Sequence, residues 1–195
     1  MHKDLVSEPQ SSFLSCEKDT ELIWRRLFVE NRTVGNMLKR LLVIETEDCI
    51  DKKSELNAFY QNKIDKINLA TLKKDGYLKV VPKMKNGEHE EIKSYIIISF
   101  DNFTMNETNP KFRDCTISFD IVCHTDYWDI GDYRIRPLKI AGYIDSMLNE
   151  THLTGIGKLH FLGCSEFLFD EYLSGYTLAY RAIHGSDDII PFEEE

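Results

Sequence analysis

Residues 115–124 alternate with a period of two. Cys115, Ile117, Phe119, Ile121 and Cys123 fall on one side, and Thr116, Ser118, Asp120, Val122 and His124 on the other. Successive side chains of an extended chain point to opposite faces, so this stretch is a strand with one apolar face. A sheet that contains it has to bury that face under a second layer. Tyr95, Ile96, Ile97, Ile98 and Phe100 are apolar on both faces, as a central strand requires.

Helical spacing elsewhere supplies the covering layer. Leu22, Ile23, Leu27 and Phe28 recur at helical intervals, Asn31 and Gly35 interrupt, and Met37, Leu38, Leu41 and Leu42 resume the stripe. The pattern predicts two short helices, or one bent helix, over 20–43, with Asp19 or Thr20 as the cap. Leu56, Phe59, Tyr60, Ile64 and Ile67 predict another over 52–67. Pro137 suits the first turn of a helix. Ile140, Ala141, Ile144, Met147 and Leu148 share one face there, which predicts an amphipathic helix of about 13 residues ending near Asn149. Strands are predicted at 77–81, ending at Pro82, and over 158–169, broken near Gly163. A last strand is expected over 176–184, joined to its neighbour across Ser174 and Gly175. Gly155 and Gly157 read as a tight turn after the helix, with one of them at positive φ.

Helices, then strands, a helix and two more strands describe an α+β domain. Its expected form is a mainly antiparallel sheet of four to five strands with helices on one face. The 195 residues suit a single core, since one domain usually takes about 100–200 residues. Residues 1–18, with several serines and little periodicity, read as a flexible arm, 19–186 as the domain, and the acidic 187–195 as a tail.

Composition excludes several function classes. The 24 Lys and Arg against 33 Asp and Glu leave a net charge of −9, which disfavours wrapping nucleic acid. No apolar run approaches the ~20 residues that span a bilayer, and the N-terminus lacks the apolar core of a secretory signal. The expectation is a soluble protein without a membrane partner. Five widely spaced cysteines without a C-x-x-C pair read as buried free thiols in a reducing compartment.

No catalytic constellation is apparent. Cys123, His124, Asp126, Asp129 and Asp132 crowd together, but adjacent residues at a strand end point to opposite faces and cannot share one ion. His160 and Cys164 are too far apart in an extended chain, about 13 Å, for a nucleophile and its base. Phosphate-binding glycine loops and nucleophile elbows are missing. A non-enzymatic protein without a cofactor is therefore expected. The most distinctive stretch is T-D-Y-W-D-I-G-D-Y-R-I-R-P over 125–137, whose Tyr127, Trp128, Tyr133, Arg134 and Arg136 are types enriched at interface hot spots. Its other reading is intramolecular packing, with the arginines paired to local aspartates.

The stretch from 119 to 184 resembles structural proteins of tailed bacteriophages. It carries F-D-I-V-C-H-T-D-Y-W, R-I-R-P-L-K-I-A-G-Y-I-D-S-M-L-N, G-I-G-K-L-H-F and L-S-G-Y-T-L-A-Y-R-A-I-H-G. In particular it is similar to the tail-terminator and tail-completion proteins of the head-to-tail connector, where a hairpin, a helix of I-x-x-x-I-D-x-x-L type and two more strands follow one another. Ile140, Ile144, Asp145 and Leu148 fill that pattern here, and W-R-R-L-F-V-E-N-R-T-V-G-N-M-L-K-R-L-L looks like the opening of neck proteins. The resemblance implies a subunit that closes into a ring of six, or alternatively twelve, copies in the neck or tail of a virion assembled in the host bacterial cytoplasm. Its partners would be its own copies and the neighbouring portal, adaptor and tail proteins, with the genomic DNA passing the channel unbound. On that reading the contact surfaces are Tyr127, Trp128, Tyr133, Arg134 and Arg136, together with the charged hairpin at 83–93 that holds Lys83 and Lys85. The alternatives are a phage-encoded binding or regulatory module and a hydrolase or nuclease using the region of His124 and Asp126.

Overall fold

In the computed structural model the described residues are 15–43, 56–80, 93–109, 112–131, 134–153 and 156–185. Helix α1 (Ser15–Arg25) starts four residues before the expected cap. It runs into a π-helical turn (Arg26–Glu30), and α2 (Arg32–Val43) follows. The π turn is the physical form of the predicted bend. Asn31 ends it and caps α2, its Oδ1 accepting from the Val34 N–H at 3.1 Å. Gly35 is required where α2 meets the turn, because a Cβ there would lie 2.6 Å from the Phe28 carbonyl oxygen. Helix α3 (Leu56–Lys66) falls within the range its periodicity predicts. A short α4 (Leu69–Lys74) was not expected; Asn68 caps it, accepting from the Thr71 N–H at 2.9 Å.

Strands β1 (Leu78–Lys79), β2 (Ser94–Met105) and β3 (Phe112–His124) precede α5 (Arg136–Leu148). A small pair, β4 (His152–Leu153) and β5 (Gly157–Lys158), leads into β6 (His160–Leu168) and β7 (Leu173–Gly185). Gly157, one of the two glycines expected to do so, turns at φ +77. The main sheet has the order β1-β2-β3-β7-β6. Every neighbouring pair is antiparallel except β1 with β2, so the sheet is mixed. The connection from β1 to β2 is long enough for the crossover a parallel pair needs, about a dozen residues.

Helices α1, α2 and α5 cover one face. Cys115, Ile117, Phe119, Ile121 and Cys123 all point there and are buried against Ile23, Trp24, Leu27, Leu38, Leu41, Ile140, Ile144 and Leu148. Burying each large apolar side chain stabilises the fold by about 1.5–3 kcal/mol. Tyr180 meets Phe119 edge to face at 5.8 Å, and its hydroxyl donates to Asp145 Oδ1 of α5 at 2.9 Å. Burial and that carboxylate push the Tyr180 hydroxyl above its ordinary range. On the opposite face Tyr95, Ile97, Val122 and Leu173 form a second, smaller cluster with Phe167 against it.

Two expectations need correction. The turn between β6 and β7 lies at 169–172 and not at Ser174 and Gly175, both of which are inside β7. Asp170 shapes it, its Oδ1 accepting from the N–H groups of Tyr172 at 2.8 Å and Leu173 at 2.7 Å. Gly175 is needed in mid-strand because a Cβ there would come within 1.7 Å of the Ile121 carbonyl oxygen. The cysteines are free but not uniformly buried: Cys115 and Cys123 are buried, Cys16 is half-buried and Cys164 is exposed, while Cys49 lies outside the described residues. Among the described residues no helix is long and apolar enough to cross a membrane.

Candidate assembly surface

The loop after β3 closes on itself. A 3-10 turn (Thr125–Tyr127) follows His124, whose Nδ1 accepts from the Asp126 N–H at 3.3 Å. His124 is buried on the face opposite Cys123, stacked on Tyr172 at 6.0 Å and edge-on to Tyr127 at 6.4 Å. Gly131, at φ +76, reverses the chain, and Asp129 Oδ1 accepts from its N–H at 2.8 Å. Asp129 and Ile135 form an antiparallel bridge, and the Arg136 N–H donates to the Trp128 carbonyl at 2.7 Å.

The residues singled out from the sequence divide accordingly. Trp128 is half-buried, tilted on Tyr176 at 6.0 Å, with its Nε1 donating to the Cys123 carbonyl at 3.4 Å. Tyr127 and Arg134 are also half-buried, and Arg134 Nε donates to the Gly131 carbonyl at 3.3 Å. Tyr133, Lys83 and Lys85 lie outside the described residues. Arg136 requires a correction. It is only 2% exposed and faces inward, donating from Nε to the Tyr127 carbonyl at 2.8 Å and from NH1 to the Leu41 carbonyl at 2.8 Å. Leu41 is in the last turn of α2, where carbonyls lack helical partners and favour a cation. Arg136 therefore ties α2, the loop and α5 together within one chain.

An uncovered apolar surface lies elsewhere, on the hairpin formed by β6 and β7. Strand β6 is an edge of the sheet, and the helical layer does not extend over it. Phe161, Cys164, Glu166 and Leu168 pair with Tyr180, Leu178, Tyr176 and Ser174, so they share the helix-side face, and all four are exposed. Leu168 is 82% exposed, and Phe169 and Tyr172 in the turn are exposed too. The start of the outer edge is closed by the turn before it: the Glu150 N–H donates to the Leu159 carbonyl at 2.8 Å, and the Phe161 N–H to Asn149 Oδ1 at 3.4 Å. From Leu162 to Leu168, no described strand pairs with the outer side. Sequence reasoning placed this strand but not its exposure. The available signal was an apolar turn, L-F-D-E-Y over 168–172, where turns are usually polar.

A groove of about 640 Å³ opens at the other end of the sheet. Cys16, Thr20 and Trp24 of α1, Leu78 and Val80 at β1, and Ile98, Phe100 and Phe103 of β2 line it, with Lys73 and Glu21 paired at its rim. Burial raises the Cys16 thiol, and the Asp19 carboxylate adds to the effect.

The pattern of the YomW family matches residues 36–182, which take in most of α2, α5 and all of the main sheet but the end of β7. The chain belongs to the YomW family. That family is phage-derived, of the Bacillus-phage type, so the chain is a phage-associated protein. No curated protein matches it.

Proposed function

We propose that this YomW-family chain is a non-enzymatic structural subunit of a phage virion. It would close with its own copies into a ring at the neck or tail, as a tail-terminator or tail-completion protein does. The observation that carries the reading is the open edge of β6, an exposed strand with apolar side chains on an otherwise well-packed domain. Monomeric proteins usually blunt or cover such an edge, because its free N–H and C=O groups recruit another strand. Phage ancestry of the family supports a virion setting. The net charge of −9 suits a channel through which the genome slides without adhering. Portal, adaptor and tail proteins would be the neighbours, in particles assembled in the bacterial cytoplasm.

The test is made on purified phage particles. Mass spectrometry should find the chain at a fixed copy number, six or twelve, and negative-stain images of the purified protein should show rings with a central hole. Absence from intact particles would overturn the virion assignment in favour of a phage-encoded binding module.

A further inference from the structure

The two ends of the main sheet differ in shape, and they complement one another. We infer that the β6–β7 hairpin of one copy docks into the groove beside β2 of the next copy, so that the sheet continues from subunit to subunit. This rests on the ring-subunit reading and specifies its interface.

Strand direction favours the match. Because β2 and β3, β3 and β7, and β7 and β6 are all antiparallel, β6 runs opposite to β2. Two copies placed side by side with their helices on the same face therefore bring β6 against the next β2 as an antiparallel pair. Among the described residues β1 pairs with β2 only at Ile96 and Ile97, which leaves the side of 99–105 to a new strand. The contact is heterologous, one edge meeting a different one, as a closed ring demands.

Side-chain placement agrees. Phe161, Cys164 and Leu168 sit on the helix-side face of β6 and extend beyond the helical layer. The groove also opens on the helix side, between α1 and Phe100, which pairs with the inward-facing Ile117. The hairpin itself is acidic. Glu166, Asp170 and Glu171 lie in a stretch with no Lys or Arg between Lys158 and Arg181. The groove sets no net charge against it, since its lining charges, Lys73 and Glu21, pair with each other.

The experiment uses two substitutions at exposed positions, Leu168→Glu on the hairpin and Val80→Glu in the groove, which are 82% and 57% exposed. Near-ultraviolet circular dichroism checks that each variant keeps the native fold, and Leu168→Met should assemble as the unchanged protein does. Light scattering then reads the mass. Each Glu variant alone should associate at least tenfold more weakly, whereas an equal mixture of the two should give dimers and nothing larger. One intact hairpin and one intact groove remain in such a mixture, enough for a single contact. Rings that survive both substitutions would overturn the inference and leave the ring reading standing. Dimers of Val80→Glu alone would overturn it in favour of β6 pairing with β6. A monomeric unchanged protein at about 100 μM would also overturn it, while particle copy number would judge the ring reading separately.

Discussion

The loop at 125–137 and the hairpin at 160–185 carry opposite messages about interfaces. The loop has tyrosine, tryptophan and two arginines, the residue types that dominate binding hot spots. Yet its backbone is closed by its own hydrogen bonds, Trp128 lies on Tyr176, and Arg136 is buried against the end of α2. The hairpin has a plainer composition, but it leaves a strand edge and Leu168, Phe169 and Tyr172 open to water. Residue type marks what a side chain is able to bind. Whether the subunit's own fold has already used that capacity depends on tertiary placement.

The contrast breaks most readily close to the turn of the hairpin. Gly175→Ala forces a methyl group against the Ile121 carbonyl, so β3 and β7 must part; a loss of about 4 kcal/mol is expected in urea unfolding, at the upper end for single changes. Arg136→Ala should cost about 3 kcal/mol, because it strips the charged partner from buried carbonyls. A loss below about 1 kcal/mol would return Arg136 to the surface as a contact residue. Trp128→Ala, which removes a half-buried ring, should cost about 2 kcal/mol. Leu168→Glu should change monomer stability by no more than about 0.5 kcal/mol, the ordinary result at a surface site. Equal losses for Trp128→Ala and Leu168→Glu would erase the distinction between the two regions.

Thiol reactivity sharpens the same contrast without a substitution. Burial pushes the Cys115 and Cys123 thiols up to about 12, so neither forms appreciable thiolate at pH 8. Cys164, exposed on β6, should be modified first among these three by a disulfide reagent in the native protein. If rings form through the hairpin, its modification should slow in the assembled fraction. Faster labelling of Cys123 would mean that the core opens more readily than its packing indicates.

Local pattern carried much of the fold. Alternation fixed the inward face of β3, and the stripe from Ile140 to Leu148 fixed α5 almost to the residue. What it could not convey was set by distant pairing. Whether a strand is central or an edge depends on which partners the whole chain supplies, so the exposure of β6 is invisible in its own nine residues. Arg136 finds its acceptor 95 residues away, at Leu41. Gly175 reads locally as a turn residue, and only the close approach of β3 shows why it stands in mid-strand. The inward turn of Arg136 is hidden from its local sequence for the same reason: residue type is local, and burial is not.

A small, pH-dependent effect lies where β7 is tied to β3 at the end remote from the hairpin turn. Asp114 of β3 accepts hydrogen bonds from Asn106 Nδ2 at 2.8 Å and from Arg181 NH2 of β7 at 2.6 Å. The bonds from Asn106 and then Arg181 hold its carboxyl below the usual range. Its folded-state affinity for a proton is thus lower than in the unfolded chain, which binds more protons as the pH falls below about 4. The contribution is complete above the ordinary carboxylate pKa and is lost as pH falls through the depressed value. Arg181 is more than half exposed, so solvent screening limits the gain to under about 1 kcal/mol. Asp114→Asn should therefore be slightly less stable than the unchanged protein at pH 7, with the gap closing toward pH 2 in parallel denaturant titrations. A gap that persists at pH 2 would show that the loss comes from packing and not from the carboxylate.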